Sequence, residues 1–469
     1  MAINLATLAL LTLLITALIG GVWLIRRQRG FWRGVGVALT LEAALLLAAQ
    51  YLLSTYPIGI GEPLIRVPFH QVVGQALLTL LVVGAVLALG YWAARRIHYI
   101  IDQQLGRKAL VSLLLLALVP AVVSASMAVM WKTSIPQRER ERDPSKRAIT
   151  LAEGFEWEIY AQGTMDNPTA IAFSPDGRLY IADIAGDLWV ASDQDGDTKA
   201  ETITRWAGGF ELLVGLVWYQ DELYCASSGK IEALRDGDGD GVAELRRTVV
   251  DNLPSMILQP HSNNGLAFGP DNRLYFGVGS TTNGQVESDR LAATILSVKP
   301  DGSDLQVYAR GLGNTFDVAF NSEGALFGGD NAPSVAPGEA EAPDEFNFLT
   351  KDGNYGYPYY FGDPPNKGGT RGALVSFPPH SVPTGVTFYS GDTYPPIYRD
   401  SAFITLWKTG EIAHIEVGET SNGEYLARTT TFASGFLYPI DVITGPDGNL
   451  YVADFGTTAI FRITHGGAR

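Results

Sequence analysis

The chain has 469 residues, a formal net charge of −15 and a single cysteine, Cys225. The acidic balance argues against a nucleic-acid partner, because binding phosphates requires a surface rich in lysine and arginine. One cysteine excludes a disulfide bond within the chain. The length exceeds that of one typical domain, so we expect at least two structural units.

Apolar runs in the first part of the chain are long enough to cross a bilayer, which requires about 20 residues. They lie at 4–25, 35–54, 72–94 and 109–131. They predict a transmembrane four-helix domain at 1–131, followed by a charged linker at 132–149. Because Glu42 is the only acid within the runs, we favour an anchor or partner-docking role over a transport path.

The basic residues between these runs predict an orientation, because cytoplasmic connections carry an excess of lysine and arginine. The connections after the first and third runs contain Arg26, Arg27, Arg29, Arg33, Arg95, Arg96, Arg107 and Lys108. The basic residues of the stalk at 132–147 oppose this orientation, but the first run carries more weight. We therefore expect a multi-pass protein of the cell membrane, with the lipid bilayer as a partner and an extracytoplasmic C-terminal domain.

A repeated phrase dominates the rest of the chain: a small and an apolar residue, an aromatic residue, a turn around Asp-Gly, and a second strand-like segment. Copies lie at 170–180, 215–224, 265–275, 317–327 and 441–451, and a weaker copy is split between 385–388 and 402–405. Each copy predicts a β-hairpin, and their spacing is typical of propeller blades. The fold class expected is a transmembrane α-helical bundle plus an all-β six-bladed propeller at 150–469, with seven blades as the runner-up. The segment at 155–160 is expected to complete the last blade and close the ring.

Two acidic loops carry carboxylates at the same loop positions, the first, third, fifth and ninth. The residues are Asp193, Asp195, Asp197 and Glu201 in one loop and Asp236, Asp238, Asp240 and Glu244 in the other. A hard cation prefers several oxygen ligands, so the shared pattern predicts calcium in these loops. No acid occupies the twelfth position, where Arg247 follows in the second loop, so neither loop is an EF-hand.

From about residue 165 to 464 the chain resembles the soluble glucose dehydrogenase and sorbosone dehydrogenase family. The matching segments lie at 260–271, 311–320, 344–349, 353–358 and 406–410. The resemblance implies a six-bladed propeller that holds pyrroloquinoline quinone (PQQ) and calcium at its central mouth. It implies that His261 is the catalytic base, that Asn314 and Lys408 bind the cofactor, and that the main-chain carbonyls of Ala332 and Pro333 bind calcium.

The chain also departs from the family pattern. Gly313 replaces an arginine beside Asn314, and the stretch at 438–440 lacks the arginines that grip the cofactor's carboxylates. The first hypothesis is therefore a membrane-bound dehydrogenase that oxidises a sugar or polyol and passes electrons to a membrane acceptor. The alternatives are a calcium-dependent lactonase-like hydrolase, using Asn263, Asn264, Asn314, Asp330 and Asn331, and a non-catalytic propeller that serves as scaffold in a membrane complex.

Overall fold

The computed structural model describes residues 142–255, 263–282, 284–333, 341–362 and 368–466. In these residues the repeated phrases become antiparallel hairpins. In the first, the turn between Phe173 and Leu179 is closed by a hydrogen bond from Ser174 N to Arg178 O of 2.9 Å. Gly177 has a φ of +85°, a backbone conformation that glycine adopts without the strain of a Cβ atom.

The described strands form six sheets, each a blade of one ring and each built on four antiparallel strands. Blade 1 contains β3 (Pro168–Phe173), β4 (Leu179–Asp183), β5 (Asp187–Ser192) and β6 (Thr202–Gly208). Blade 2 contains β7 (Gly215–Tyr219), β8 (Glu222–Ser227), β9 (Lys230–Arg235) and β10 (Leu245–Val250). Blade 3 contains β11 (Asn263–Phe268), β12 (Leu274–Val278), β13 (Thr294–Val298) and β14 (Gln306–Arg310), with the short parallel strand β18 (Gly353–Asn354) at its edge.

The remaining blades follow the same plan. Blade 4 contains β15 (Thr315–Phe320), β16 (Leu326–Asp330), β17 (Asp344–Leu349) and β19 (Val375–Phe377). Blade 5 contains β20 (Pro383–Phe388), β21 (Ala402–Leu406), β22 (Glu411–Glu419) and β23 (Tyr425–Ser434), with β1 (Thr150–Leu151) at its edge. Blade 6 contains β24 (Pro439–Thr444), β25 (Leu450–Asp454), β26 (Ala459–His465) and β2 (Phe155–Gln162).

The first strand of each blade lies on the inside of the ring, next to the first strands of the two neighbouring blades. Strand β24 contacts β3, so the last blade meets the first. Strand β2 precedes blade 1 in the chain but pairs with β26, from Phe155 opposite His465 to Gln162 opposite Ala459. The predicted six-bladed ring and its closing strand are therefore confirmed, and the described residues contain six blades rather than seven.

Apolar side chains fill the spaces between neighbouring blades. Between blades 1 and 2, Tyr180, Trp206 and Trp218 pack edge to face or tilted, with ring centroids 5.0 to 6.3 Å apart. Between blades 5 and 6, Tyr389, Tyr394 and Phe432 lie in one buried cluster. Cys225 is buried in the first of these clusters, and burial raises the pKa of its thiol.

The mixed fold class expected from the sequence requires a correction. The described elements are strands and two 3-10 helices of three residues each, Pro144–Lys146 and Pro396–Tyr398, so this part of the chain is an all-β propeller. Among the residues described, none forms a helix with the length and apolarity needed to cross a bilayer. Apolar composition alone had suggested the helices, and the runs at 4–25, 35–54, 72–94 and 109–131 lie outside the described residues. The domain boundaries, membrane location and lipid contact inferred from them stay predictions.

Candidate functional site at the mouth of the propeller

The two ends of the ring differ in the segments that reach them. We call the end at which each innermost strand begins the mouth end, and the end with the Pro-Asp-Gly hairpins the turn end. Because strands alternate in direction, the connections between second and third strands also lie at the mouth end. Asn314 precedes β15, Ala332 and Pro333 follow β16, and Lys408 follows β21, so the structure places all four at the mouth end. His261 lies outside the described residues.

Asn314 is held by a buried polar network. Its side-chain oxygen accepts a hydrogen bond of 2.8 Å from Asn264 Nδ2, which also donates to the Thr315 carbonyl at 3.1 Å. The carboxylate of Asp330 accepts bonds of 2.8 and 3.0 Å from the backbone N–H groups of Gly313 and Asn314. Buried groups linked in this way have few alternative positions, so the Asn314 amide is fixed before any ligand binds.

The acid in this network is unusual. Burial, followed by the charge of Glu345, raises the pKa of Asp330 to about 8, although the three donors from Gly313, Asn314 and Thr315 favour the carboxylate. The Thr315 hydroxyl donates to Asp330 at 2.9 Å. The carboxyl group of Asp330 therefore orients the first residues of β15, and its raised pKa lies close to neutral pH.

Two amide oxygens of the same region have no hydrogen-bond partner among the described residues: Asn264 Oδ1 and Asn331 Oδ1. Asn264 is fully buried, and Asn331 donates to the Asn314 carbonyl through both its backbone N–H and its side chain, each at 3.2 Å. Buried polar atoms are nearly always paired in folded proteins. These two oxygens can accept a hydroxyl hydrogen or contribute to the coordination of a hard cation.

Gly313 explains why the chain lacks an arginine beside Asn314. A Cβ atom at this position would clash with the carbonyl oxygen of Asn331, so no side chain fits without displacing that residue. Further along the same connection, Ala332 N donates to Asp344 Oδ1 at 2.8 Å, and Val382 N donates to Asp344 Oδ2 at 2.9 Å. Asp344 thus ties the connection carrying Ala332 to blade 5.

An aromatic stack occupies the region where the sequence lacks the other arginines. Trp407 and Tyr438 stack with ring centroids 4.4 Å apart and an angle of 24° between their planes. Trp407 is buried and precedes Lys408, whose backbone N–H donates to the Ser381 carbonyl at 3.1 Å. Lys408 is exposed and forms no ion pair with the described residues. This stack was not predicted, because its two members come from different blades and no local pattern relates them.

The two acidic loops lie at the turn end, away from Asn314 and Lys408. In the first loop, one oxygen from each of four carboxylates lies within 4.8 Å of the others: Asp193, Asp195, Asp197 and Glu201. In the second loop the corresponding group contains Asp236, Asp238 and Glu244. Asp240 is not part of it, although the sequence placed it among the ligands. The structure therefore brings together seven of the eight predicted carboxylates, in two separate groups.

The backbones of the two loops have the same hydrogen bonds. Gly196 N donates to Asp193 Oδ1 at 2.7 Å, and in the second loop Gly239 N donates to Asp236 Oδ1 at 2.6 Å. At the ninth position, Glu201 accepts from Gln194 N, and Glu244 accepts from Gly237 N, both at 2.6 Å. Each loop is thus shaped by hydrogen bonds from its own backbone to its own carboxylates.

Comparison with known protein families gives a match without an assigned activity. Residues 141–351 match a family described as a domain of unknown function, DUF7133. An uncharacterised protein of Borreliella burgdorferi is 24% identical over 364 residues, which cover 67% of this chain and 90% of that protein. Quinoprotein glucose dehydrogenase B of Acinetobacter calcoaceticus is 20% identical over 269 residues, which cover 46% of this chain and 55% of the dehydrogenase.

Solved structures resemble the propeller over most of their own length. A protein of Thermus thermophilus assigned as an oxidoreductase (glucose dehydrogenase) is 25% identical, with a TM-score of 0.56, and the match covers 66% of this chain and 100% of that chain. The PQQ-bound aldose sugar dehydrogenase of Streptomyces coelicolor is 18% identical, with a TM-score of 0.53, and the match covers 67% and 99%. A calcium structure of a Trichoderma reesei family AA12 enzyme is 17% identical, with a TM-score of 0.57, and the match covers 68% and 97%. The chain therefore has the six-bladed fold of the PQQ-dependent sugar dehydrogenases.

Proposed function

We propose that the protein is a quinoprotein-type dehydrogenase that oxidises a hydroxyl group of a sugar or polyol at the mouth end, with PQQ and calcium. The observation that carries the proposal is the buried network of Asn264, Asn314 and Asp330, which fixes polar groups at the mouth end and leaves the Asn264 amide oxygen without a hydrogen-bond partner among the described residues. The likeness to structures of sugar dehydrogenases supports the same location for the site.

The residues at the mouth fit the two groups to different extents. Calcium prefers oxygen ligands, and the oxygens of Asn264 and Asn331 and the connection through Ala332 and Pro333 supply them. PQQ is planar and carries three carboxylates. The Trp407–Tyr438 stack offers an aromatic face, and Lys408 offers a cation with no ion pair among the described residues. Without guanidinium partners the carboxylates gain fewer paired hydrogen bonds, so we expect weaker binding than an arginine-lined mouth would give.

The side chains of the chain then have distinct tasks. When bound, PQQ would supply the acceptor for the hydride of the oxidised carbon, and calcium would supply a Lewis acid. His261 accepts the proton of the substrate hydroxyl, because an imidazole titrates near neutral pH. Asn314 orients the ligand through an amide that Asn264 and Asp330 hold in place. Lys408 attracts the anionic end of the cofactor.

A titration of the full-length protein with PQQ at fixed calcium tests the proposal. We expect the absorbance spectrum of a bound quinone and reduction of an artificial dye when aldoses or polyols are added. His261→Ala should retain quinone binding and lose dye reduction. Lys408→Met should weaken binding about tenfold, which corresponds to the loss of roughly 1.4 kcal/mol. Lys351→Met, at the turn end, is the matched control and should bind as the wild type does.

The alternatives give different results in the same assays. Hydrolysis of lactones without dye reduction would contradict the dehydrogenase and support a calcium-dependent hydrolase that uses the oxygens of Asn264, Asn314 and Asn331. No quinone spectrum at any concentration, together with co-purification of a membrane partner, would support the scaffold. We also propose that the electron acceptor is a membrane component, in keeping with the extracytoplasmic location predicted from the basic residues.

A further inference from the structure

A cavity of about 300 Å³ lies inside the ring and is lined by residues of all six innermost strands. At one level of this cavity, equivalent positions of the repeated phrase face each other. Four of them carry small residues, and the other two carry aspartates; in chain order they are Ala170, Gly215, Gly265, Asp317, Gly385 and Asp441. The strand register supports the equivalence, because Ala170, Asp317 and Asp441 pair with Ala182, Gly329 and Ala453 on their second strands.

The small residues make room for the two carboxyl groups. A Cβ atom on Gly265 would clash with Asp317 Oδ1, and a Cβ atom on Gly385 would lie 2.5 Å from Asp441 Oδ1. The innermost strands of blades 3 and 5 can therefore approach the aspartates of blades 4 and 6 only because they carry glycine there. The carboxyl groups are thus built into the ring rather than placed on its surface.

Each carboxyl group makes a hydrogen bond to the next blade. Asp317 Oδ2 accepts from the backbone N–H of Val386 at 2.9 Å, which links blade 4 to blade 5. Asp441 Oδ2 accepts from the backbone N–H of Ile171 at 2.7 Å, which links blade 6 to blade 1. In both cases the donor is the residue after the equivalent position of the neighbouring strand. The same contact therefore occurs at two of the six interfaces between blades, and one of them is where the ring closes.

No opposite charge compensates these groups within the cavity. The described residues that line it include no lysine, arginine or histidine, and Asp317 and Asp441 are its only titratable side chains. Burial, followed by the charge of Asp441, raises the pKa of Asp317, and burial raises the pKa of Asp441 to about 7. Two ionised carboxylates that face the same cavity repel each other and have lost part of their hydration, so a proton is retained by the pair.

We infer that Asp317 and Asp441 share one proton at neutral pH, and that the contacts they make between neighbouring blades therefore depend on pH. With the proton present, both carboxyl groups keep their hydrogen bonds to the backbone N–H groups of Val386 and Ile171. When the proton is lost, the two charges repel each other across the cavity and weaken the contacts between blades. The inference concerns the frame of the propeller and is independent of the activity proposed for the mouth.

The sign of the pH effect follows from proton binding. In the unfolded chain both carboxyl groups titrate near pH 4, whereas the folded pair retains a proton to about pH 7. The folded state binds more protons in this interval, so the stability contributed by the pair is fully present below about pH 4. It is lost as the pH rises through the pKa of about 7.

Substitution by asparagine distinguishes two explanations: that the pair shares a proton, or that the fold requires both carboxyl groups to be charged. The amide of Asp317→Asn stays neutral at every pH, can still accept from Val386 N–H, and removes the second charge. We expect the Tm of this variant, minus that of the wild type, to rise with pH from 5 to 8 and to be at least about +2 °C at pH 8. Asp441→Asn should change Tm in the same direction, and the double variant should show the flattest dependence.

Asp183→Asn is the matched control. Burial raises the pKa of Asp183 too, but its carboxylate accepts from three N–H donors, of Asp166, Asp187 and Trp189, which favour the ionised form. This substitution should lower Tm over the whole pH range. Infrared spectroscopy of the wild type at pH 6 should show the C=O band of protonated carboxylic acids, and this band should be weaker in the double variant, in which only other buried acids such as Asp330 still contribute to it.

The inference is overturned by either of two results. If Asp317→Asn and Asp441→Asn lower Tm at every pH, the ring requires both charges, as it would if they held a cation. If the infrared spectra of the wild type and the double variant are identical at pH 6, no proton resides on the pair. Both measurements use the full-length protein without added PQQ.

Discussion

At the mouth end, Gly313 determines what can surround its neighbour Asn314. Its N–H and that of Asn314 both donate to Asp330, and its missing side chain leaves room for the Asn331 carbonyl. Any larger residue would displace Asn331, whose backbone and side chain both donate to the Asn314 carbonyl. One glycine thus allows the compact amide network and at the same time excludes an arginine from it.

The substitution Gly313→Ala tests this packing. Because the added methyl group would force Asn331 and its hydrogen bonds to shift, we expect the free energy of unfolding to fall by about 1–3 kcal/mol. Urea denaturation gives the value. Gly418→Ala is the control, since a Cβ atom there meets no atom within 4 Å and should change stability little. Equal midpoints for the two variants would mean that the region around Asn331 adapts at no cost.

At the residue scale the sequence predicted part of the mouth. Resemblance to a family pointed to Asn314, Ala332, Pro333 and Lys408, and the structure places them at one end of the ring. Trp407 and Tyr438 were not recognised, because stacking between residues of blades 5 and 6 depends on the three-dimensional arrangement. The aspartates at 317 and 441 were visible in the repeated phrases, where other copies have alanine or glycine, but their position inside the ring depends on the fold.

Among the elements, the acidic loops of blades 1 and 2 share a contact with the preceding blade. Ala200, at the eighth position of the first loop, donates its N–H to the Tyr160 carbonyl on β2 of blade 6 at 2.8 Å. Ala243, at the eighth position of the second loop, donates to the Trp206 carbonyl on β6 of blade 1 at 2.9 Å. A cation that orders either loop would therefore stabilise an interface between two blades.

Calcium should raise the stability of the protein through these loops. We expect an increase in the free energy of unfolding of about 2.7 kcal/mol for each loop that binds, when free calcium exceeds its dissociation constant a hundredfold. Asp197→Asn removes a carboxylate of the first group and should reduce the increase. Asp240→Asn changes the equivalent position of the second loop, which lies outside its group, and should leave the increase unchanged.

Thermal unfolding at several calcium concentrations measures the effect. The prediction of calcium binding fails if calcium leaves the Tm of the wild type unaltered. The distinction between the loops fails if both variants lose the same part of the calcium-dependent increase in stability.

At this scale the sequence predicted the hairpins and the shared carboxylate positions well, because both follow from local patterns. The exclusion of Asp240 from the carboxylate group of the second loop was not predictable, since it depends on the backbone conformation of that loop.

For the molecule as a whole, closure of the ring depends on β2. Phe155 at its start packs edge to face against Tyr394 and Phe432, with ring centroids 4.7 and 4.8 Å apart. Near its middle, Glu158 forms an ion pair with Arg462, which also pairs with Asp447. Aromatic contacts therefore join β2 to blade 5, and the ion pair joins it to the rest of blade 6. The alternating pattern at 155–160 predicted this closing strand, because an open sheet edge would otherwise remain.

Phe155→Ala should weaken the closure. Removal of a buried phenylalanine leaves a cavity, and we expect the free energy of unfolding to decrease by about 3–5 kcal/mol. Glu156→Ala changes the next residue of the same strand, which is exposed, and is the control. Denaturation in urea compares the two variants with the wild type. A loss in Phe155→Ala no larger than that in Glu156→Ala would show that β2 adds little to the ring.

The pairing of β2 with β26 also constrains the order of events during synthesis. Glu158 and Arg462 are separated by 304 positions, so the ribosome must produce nearly the whole propeller before these partners can meet. Until then β2 carries an unpaired edge, and long-range pairing of this kind is slow compared with the formation of local hairpins. Every nascent chain therefore passes through a stage with five complete blades and one unfinished one, and that stage is the point at which a chaperone would have to shield it from aggregation.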